Sequence, residues 1–316
     1  MSKTSMKAAG IDTGKHKLDM ALSWRSDALQ VSNDEAGHRQ LHRWLRRHKV
    51  ERVGIEASGG YERGVVRYLR KEGFTVAVLQ PLQVRGFATF RLKRAKNDKI
   101  DAKLIAECTA ALDEPREPTD PRLAAFCEHL TLIEQLEEDI VRYKTRREAF
   151  ANKHALEVID LRLKELSVLL RSELKAIDAA LAGHADLAEK LDLIQSIPGI
   201  GRRTAIAILV RMPEIGTLSR EQAASLAGLA PFDDQSAQRE GQRHIQGGRS
   251  RLRRSLYAAA LPAAFKWNVA LIALYRRLIQ LGKGHKRALV ACARKLIIYA
   301  NTVVARGTPW LPSTQI

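Results

Sequence analysis

Lys7-Ala8-Ala9-Gly10-Ile11-Asp12-Thr13 is a short apolar run closed by a carboxylate, and what surrounds it decides the fold. Residues 17–23 alternate polar and apolar as a returning strand, so the two segments read as a hairpin with Asp12 where the first strand ends. A helix is expected over roughly 34–49, with Asn33 or Asp34 as its cap. Residues 52–56 (Arg-Val-Gly-Ile-Glu) form another short strand that ends in a carboxylate, Glu56. Ser58-Gly59-Gly60 is a turn, Tyr61 to Lys71 an amphipathic helix closed by Gly73, and residues 74–79 a buried strand. Residues 98–111 return to helical periodicity. Strands alternating with helices indicate an α/β domain.

The 316 residues include 53 Lys and Arg against 35 Asp and Glu, a net charge of +18 with His neutral. Hydrophobic residues at 45% and charged residues at 28% make a globular composition rather than a disordered one. So large a positive excess calls for an acidic partner; nucleic acid is the commonest and a membrane surface the weaker alternative. No run approaches the roughly 18 apolar residues of a membrane span, and Met1 to Gly10 lacks a signal-peptide core. No membrane partner is therefore expected. Cys108, Cys127 and Cys292 form no CxxC pair, which argues for a reducing cytoplasm and against a disulfide framework or zinc ribbon. The charge is layered: +10 over residues 1–110, −6 over 111–189 and +14 over 190–316. Nucleic-acid contact is expected at both ends, with the acidic middle as a spacer or a protein–protein element.

Pro115, Pro118 and Pro121 mark a linker, after which the pattern becomes all-helical. Leu123, Phe126, Leu130 and Ile133, then Leu156, Ile159, Leu163, Leu166, Leu170 and Leu174 after a break near 150–154, recur at spacings of three and four. This suggests a long helical hairpin or coiled coil, either joining two subunits or packed within one. Three regions follow: 1–115, 116–189 and 190–316.

Asp12 and Glu56 end strands, and Asp98 and Asp101 lie three apart near a helix start, on one face. Each has an ordinary alternative: a turn residue for Asp12, an N-cap for Asp98, a lysine partner for Asp101. Together, in that order within an α/β pattern, they can converge. Converging carboxylates repel unless divalent cations neutralise them, and oxygen-only ligands suit Mg²⁺ or Mn²⁺. Two such metals stabilise the attacking and leaving oxygens of phosphoryl transfer. Arg91, Lys93, Arg94, Lys96, Lys99 and Lys103 crowd the third acidic site and suit a phosphate backbone, or form a solvated face.

Residues 194–207 match helix, Pro-Gly-x-Gly, helix. Gly199 and Gly201 open the turn and let backbone N–H groups approach a phosphate, with Arg202 and Arg203 at the positive end of the next helix. The alternative is an ordinary corner capped by glycines. Further on, Gly228 and Pro231 end a helix, a polar stretch carries Ser236, and Gly247-Gly248 leads into Arg249, Arg251, Arg253 and Arg254. Those arginines can grip phosphates bidentately or simply coat a surface. Ser236, Ser250 and Ser255 are indistinguishable on local grounds, and no dedicated base is evident, although His244 lies eight residues beyond Ser236.

The order Asp12, Glu56, Asp98, Asp101, the Pro-Gly-x-Gly hairpin, then GLAP…S…GG…LRRSLY resembles the DEDD-type insertion-sequence transposases, related to the Piv-type DNA invertases, over about residues 8–300. The resemblance implies an α/β plus all-α architecture: a RuvC-like N-terminal domain of the ribonuclease H fold, a helical coiled-coil middle and a helical C-terminal transposase domain with a helix-hairpin-helix. It implies that Asp12, Glu56, Asp98 and Asp101 bind metal and that Ser236 is the nucleophile, although Ala237 stands where the family usually has glycine. It also implies a homodimer or higher oligomer acting on donor and target DNA, guided by a structured bridge RNA, in a bacterial cytoplasm at the nucleoid. With aromatics at 5%, the chain is better suited to backbone and shape recognition than to base stacking, leaving sequence to base pairing. Two competing readings are a metal-only junction resolvase or nuclease, and a non-catalytic nucleic-acid scaffold.

Overall fold

The computed structural model describes residues 6–92, 98–113, 120–232, 235–236, 239–240 and 244–311, with the backbone but not the side chains at 98–100, 121, 232, 235–236 and 239–240. The chain divides into two compact units, Met1–Glu117 and Pro118–Ile316.

The first unit opens with the expected hairpin, β1 (Ala8–Thr13) and β2 (Lys17–Leu22), and adds an edge strand, β3 (Ala28–Ser32). Helix α1 (Glu35–Arg47) follows, capped by the Asp34 carboxylate, which accepts from the Gly37 amide at 2.8 Å. Then come β4 (Arg52–Glu56), α2 (Arg63–Lys71), β5 (Thr75–Leu79), α3 (Pro81–Phe90) and α4 (Asp98–Ala110). The five strands lie in the order β3-β2-β1-β4-β5. The first three are antiparallel, while β4 and β5 run parallel to β1. This mixed sheet is compatible with a ribonuclease H-like domain. Two elements go beyond the sequence expectation. Only Val31 of β3 is buried, so the strand carries almost no apolar signal. Helix α3 begins at Pro81, whose fixed φ suits a first helical position.

The two sheet faces are chemically distinct. Ala9, Ile11, Leu18, Met20, Val53 and Ile55 pack with Leu41, Leu45, Val65 and Leu69 of the first two helices. The opposite face carries Gly10 and Gly54, and α4 lies directly on it. A Cβ on Gly10 would overlap the Ala102 carbonyl and the Ala106 amide, and one on Gly54 would overlap the Thr109 hydroxyl. Lys103 anchors α4 by donating to the carbonyls of Leu22, Ser23 and Arg25 at 2.6, 3.1 and 2.9 Å. Its ammonium is thus held within the fold rather than offered to a phosphate. Arg52 donates to the Leu112 carbonyl at 2.8 Å, placing a cation just beyond the last turn of α4. Gly10→Ala is expected to lower stability by about 2 kcal/mol or more, the cost of overpacking, read as a fall in the urea midpoint. An unchanged midpoint would mean that α4 lifts freely.

The second unit starts with two long helices, α5 (Pro121–Glu148) and α6 (Lys153–Ala182), capped by Asp120 and Asn152. Pro121 opens α5; Pro115 and Pro118 lie outside the described residues. Helices α7 (Ala185–Gln195), α8 (Arg202–Arg211) and α9 (Arg220–Leu226) follow. Next come four two-residue strands, β6 (Pro231–Phe232), β7 (Gln235–Ser236), β8 (Arg239–Glu240) and β9 (His244–Ile245). The unit ends with α10 (Ser250–Pro262), a π-helical turn (Ala263–Trp267), α11 (Val269–Gln280) and α12 (His285–Arg306). Leu130 and Ile133 of α5 and Ile177 and Leu181 of α6 share one core with Ile206, Leu209, Leu252, Leu256 and Leu296. Part of each long helix is thereby tied to the C-terminal helices, while Val141, Val158, Leu161 and Val168 are exposed. Helix α12 contains an 18-residue window of mean hydropathy 1.5, long and apolar enough to cross a membrane. Arg294 and Lys295 interrupt the run, so a search for unbroken apolar sequence misses it. Its Leu289, Cys292, Leu296 and Ile297 are buried in this core.

Candidate active site

The β1–β4 register pairs Gly10 with Gly54 and Ile11 with Ile55. The next positions are Asp12 and Glu56, so the two carboxylates sit side by side at the ends of neighbouring parallel strands. Residues two apart on a strand share a face. Asp12 and Glu56 therefore lie on the face of Gly10 and Gly54, the one that α4 covers. Helix α4 begins at Asp98, and Asp101 directly precedes Ala102, whose carbonyl rests over Gly10. Asp12, Glu56 and Asp101 are half-buried. The backbone thus sets Asp12 and Glu56 side by side on the sheet face over which α4, with Asp98 and Asp101 in its first turn, is packed. The side chain of Asp98 lies outside the description, and among the described residues no group of three His, Cys, Asp or Glu is close enough to hold a metal. The donor set is oxygen-only, and that chemistry fits a hard divalent cation.

Hydrogen bonds tie together the loops that follow these strands. Thr13 Oγ1 and Ser58 Oγ are 2.5 Å apart, joining the end of β1 to the turn after β4. Glu62 accepts from Ser58 N and Oγ and from Gly60 N at 3.1, 3.0 and 2.9 Å. Burial opposes its ionisation, but these bonds prevail and hold its pKa below the usual carboxylate value. Asn33 Nδ2 reaches the carbonyls of Gly14 and Tyr61, both at 3.0 Å. Directly across the hairpin from Asp12 is Asp19, buried and held by Gln30 Nε2 at 2.6 Å and Lys17 Nζ at 3.1 Å. Sequence reading missed this fifth carboxylate, although hairpin register would have found it. The repeated Gly-Ile-Asp and Gly-Ile-Glu likewise signals two strands of matching register.

Arg91 lies 3.6 Å from Glu107 and over the Phe87 ring. Lys93, Arg94 and Lys96 lie outside the described residues.

In the second unit the Pro-Gly-x-Gly turn joins α7 to α8. Gly199 has φ +97°, and a Cβ there would strike Ala263 of the π-helical turn. A Cβ on Gly201, the N-cap of α8, would meet nothing within 4 Å, so that helix end is approachable. The flanking arginines are engaged inside the protein. Arg202 binds Asp178 and Asp192 at 2.6 and 2.9 Å. Arg203 grips Glu137 with two bonds of 2.9 Å. Arg249 binds Glu214 at 2.6 Å, Arg251 binds Glu134 at 2.9 Å and Arg254 binds Glu138 at 2.5 Å. Three acids of one long helix, Glu134, Glu137 and Glu138, thus neutralise much of the predicted basic surface. With Arg142, Arg203, Arg251 and Arg254 they line an open cavity of about 530 Å³.

Ser236 lies on a small arm. β6 pairs with β9 and, further out along the chain, β7 pairs with β8, with Ser236 opposite Arg239. His244 belongs to the inner pair, opposite Phe232. The neck of the arm is backbone against backbone, since a Cβ on Gly248 would overlap the Gly228 amide. Arg253 closes it by donating to the Gly247 carbonyl at 2.6 Å. Cys108 and Cys292 are buried, and burial pushes the Cys292 thiol up to about 11, unsuited to nucleophilic work at neutral pH.

A family model of the IS110 DEDD transposases, described as a transposase, matches residues 9–153. A second, described as the transposase IS116/IS110/IS902 family, matches residues 191–276. The chain is similar to the pilin gene-inverting proteins of Moraxella bovis and Moraxella lacunata, each 26% identical over 98% of both chains. It is also 28% identical to an uncharacterised 43.6 kDa protein of insertion element IS110 from Streptomyces coelicolor, over 48% of this chain and 38% of that one.

Proposed function

The chain belongs to the IS110 family of transposases and is a DNA recombination enzyme, and on that premise we propose that it cuts and rejoins donor and target DNA through a serine–phosphate linkage, guided by a structured RNA. The observation that carries the reading is the shared register of Asp12 and Glu56 on the sheet face that α4 covers. Asp12, Glu56, Asp98 and Asp101 hold Mg²⁺ or Mn²⁺ in a RuvC-like domain. When bound, the metal neutralises charge that develops on the phosphate oxygens. Ser236 Oγ forms a bond to phosphorus while the bond from phosphorus to one deoxyribose oxygen breaks. The serine proton is lost, and the departing sugar oxygen takes one up. A second DNA end reverses the step and releases the serine.

Residues 1–115 supply the carboxylates, 116–189 the subunit contact and 190–316 the serine. Exposed Val158, Leu161 and Val168 on α6 follow spacings of three and seven, suited to a helical seam with a second copy. A homodimer or higher oligomer then lets the carboxylates of one subunit serve the serine of another. The open N-terminus of α8 at Gly201 holds a DNA phosphate without reading sequence. Arg91, Lys93, Arg94 and Lys96 add positive field within the first unit; in the second, Arg202, Arg203, Arg249, Arg251 and Arg254 would have to exchange their acid partners, and Arg253 its carbonyl partners, for phosphates. Sequence is left to RNA pairing.

Sequencing the RNA that co-purifies with the protein tests this. The expected result is one structured RNA transcribed beside the protein's own gene, required for strand exchange between plasmids carrying the flanking DNA. Random cellular RNA, with exchange that proceeds equally without it, would remove the guide.

A further inference from the structure

The last 76 residues, 241–316, contain 14 Lys and Arg and no Asp or Glu. Arg249, Arg251 and Arg254, early in this stretch, are paired by Glu214, Glu134 and Glu138. Among the later cations that are described, Lys266, Arg276, Arg277, Lys283 and Lys286 are exposed and make no ion pair with an acid. Large aromatic rings sit among them. Phe265 is 54% exposed and Trp267 57%, both on the π-helical turn. The Lys266 ammonium lies 4.8 Å from the Trp267 ring centroid. Phe265 meets Tyr275 edge-on at 4.9 Å and stacks with His285 at 6.2 Å, and the Tyr275 hydroxyl is 2.8 Å from His285 Nδ1. Exposed rings of this size gain nothing from solvent, and single π-turns recur at functional sites.

This corner is built onto the helix-hairpin-helix. Gly199 of the hairpin has room only for a hydrogen where Ala263 packs against it. Asn268, 2% exposed, donates to the Pro198 carbonyl at 3.2 Å and caps α11 through the Leu271 amide. The phosphate-facing turn and the ring-bearing turn are therefore one packed piece.

We propose that Phe265 and Trp267, with Lys266, Lys283 and Lys286 around them, form a stacking platform for unpaired bases of a bound nucleic acid. The inference rests on the nucleic-acid reading of the hairpin but needs neither metal nor serine. Stacking is indifferent to base identity because every base has a π-face, and the cations follow the strand's phosphates. A protein poor in aromatics has two exposed rings on one turn packed against the glycine hairpin.

The test is fluorescence anisotropy with the full-length protein at about 0.15 M salt, using a thymidine strand of about 20 nucleotides and a duplex of equal length. F265A/W267A is expected to weaken the single strand about tenfold or more and the duplex less than twofold, with an unchanged melting temperature. F265Y/W267F should restore the single strand. K266A/K283A/K286A should weaken both and flatten the salt dependence. Unchanged single-strand affinity in F265A/W267A, or equal losses on both substrates, overturns the platform while leaving the hairpin intact. If the wild type binds neither oligonucleotide, the nucleic-acid reading fails as well. Tight binding to phosphatidylserine vesicles that is lost in F265A/W267A, with single-strand affinity intact, would make the surface lipid-facing and also overturn it.

Discussion

Asp12→Asn is expected to abolish strand exchange, with a fall of about a thousandfold or more, equivalent to some 4 kcal/mol of lost transition-state stabilisation. Asparagine keeps the shape of the side chain and removes its charge. Asp12 is half-buried and stands directly across the hairpin from Asp19. Like charges opposite one another on adjacent strands are destabilising. Without divalent metal, the melting temperature of the variant should therefore equal or exceed that of the wild type. Adding Mg²⁺ should raise the wild-type melting temperature by mass action and leave the variant unmoved. Asp101→Asn should behave the same way, because Asp101 precedes the residue that rests over Gly10. Full recombination rates in both variants would dismantle the carboxylate assignment.

Ser236→Ala carries the second large effect. It should eliminate both recombination and the covalent protein–DNA adduct seen after denaturing electrophoresis, again by about three orders of magnitude or more. DNA affinity should stay within twofold of wild type. Ser236 lies on the outer strand pair of the arm whose neck is closed by Gly228, Gly248 and Arg253. The substitution removes one hydroxyl and leaves that neck untouched. A metal-only resolvase on the same fold would keep cutting branched DNA in this variant, and a purely binding scaffold would never have cut it. The two variants together separate all three readings: both lose activity in a serine recombinase, only Asp12→Asn does in a resolvase, and neither matters in a scaffold.

Much of the first unit was legible because its signals are local. Gly-Ile-Asp and Gly-Ile-Glu close two apolar strands, and the spacing of Asp98 and Asp101 fits one helical turn. The edge strand β3 was illegible because an edge needs only one buried residue, Val31. The Ser236 segment reads as loop because two-residue strands have no period to detect. The arginines show the limit of composition most clearly. Arg251 and Glu134 are 117 residues apart, and nothing near either one announces the other.

The sequence by itself determined the alternation of strands and helices, the order of the four carboxylates, the glycine hairpin and the excess of positive charge. These depend on neighbours within a few residues, where backbone geometry fixes the period. Only the tertiary structure decided which charges remain available. It set the acids of α5 against the arginines at 203, 251 and 254, and left the cations beside Phe265 and Trp267 without an acid partner among the described residues. The reason is that electrostatic energy falls with distance in space and takes no account of distance along the chain. A net charge of +18 is a property of the sequence, whereas the surface that charge presents to nucleic acid is a property of the fold.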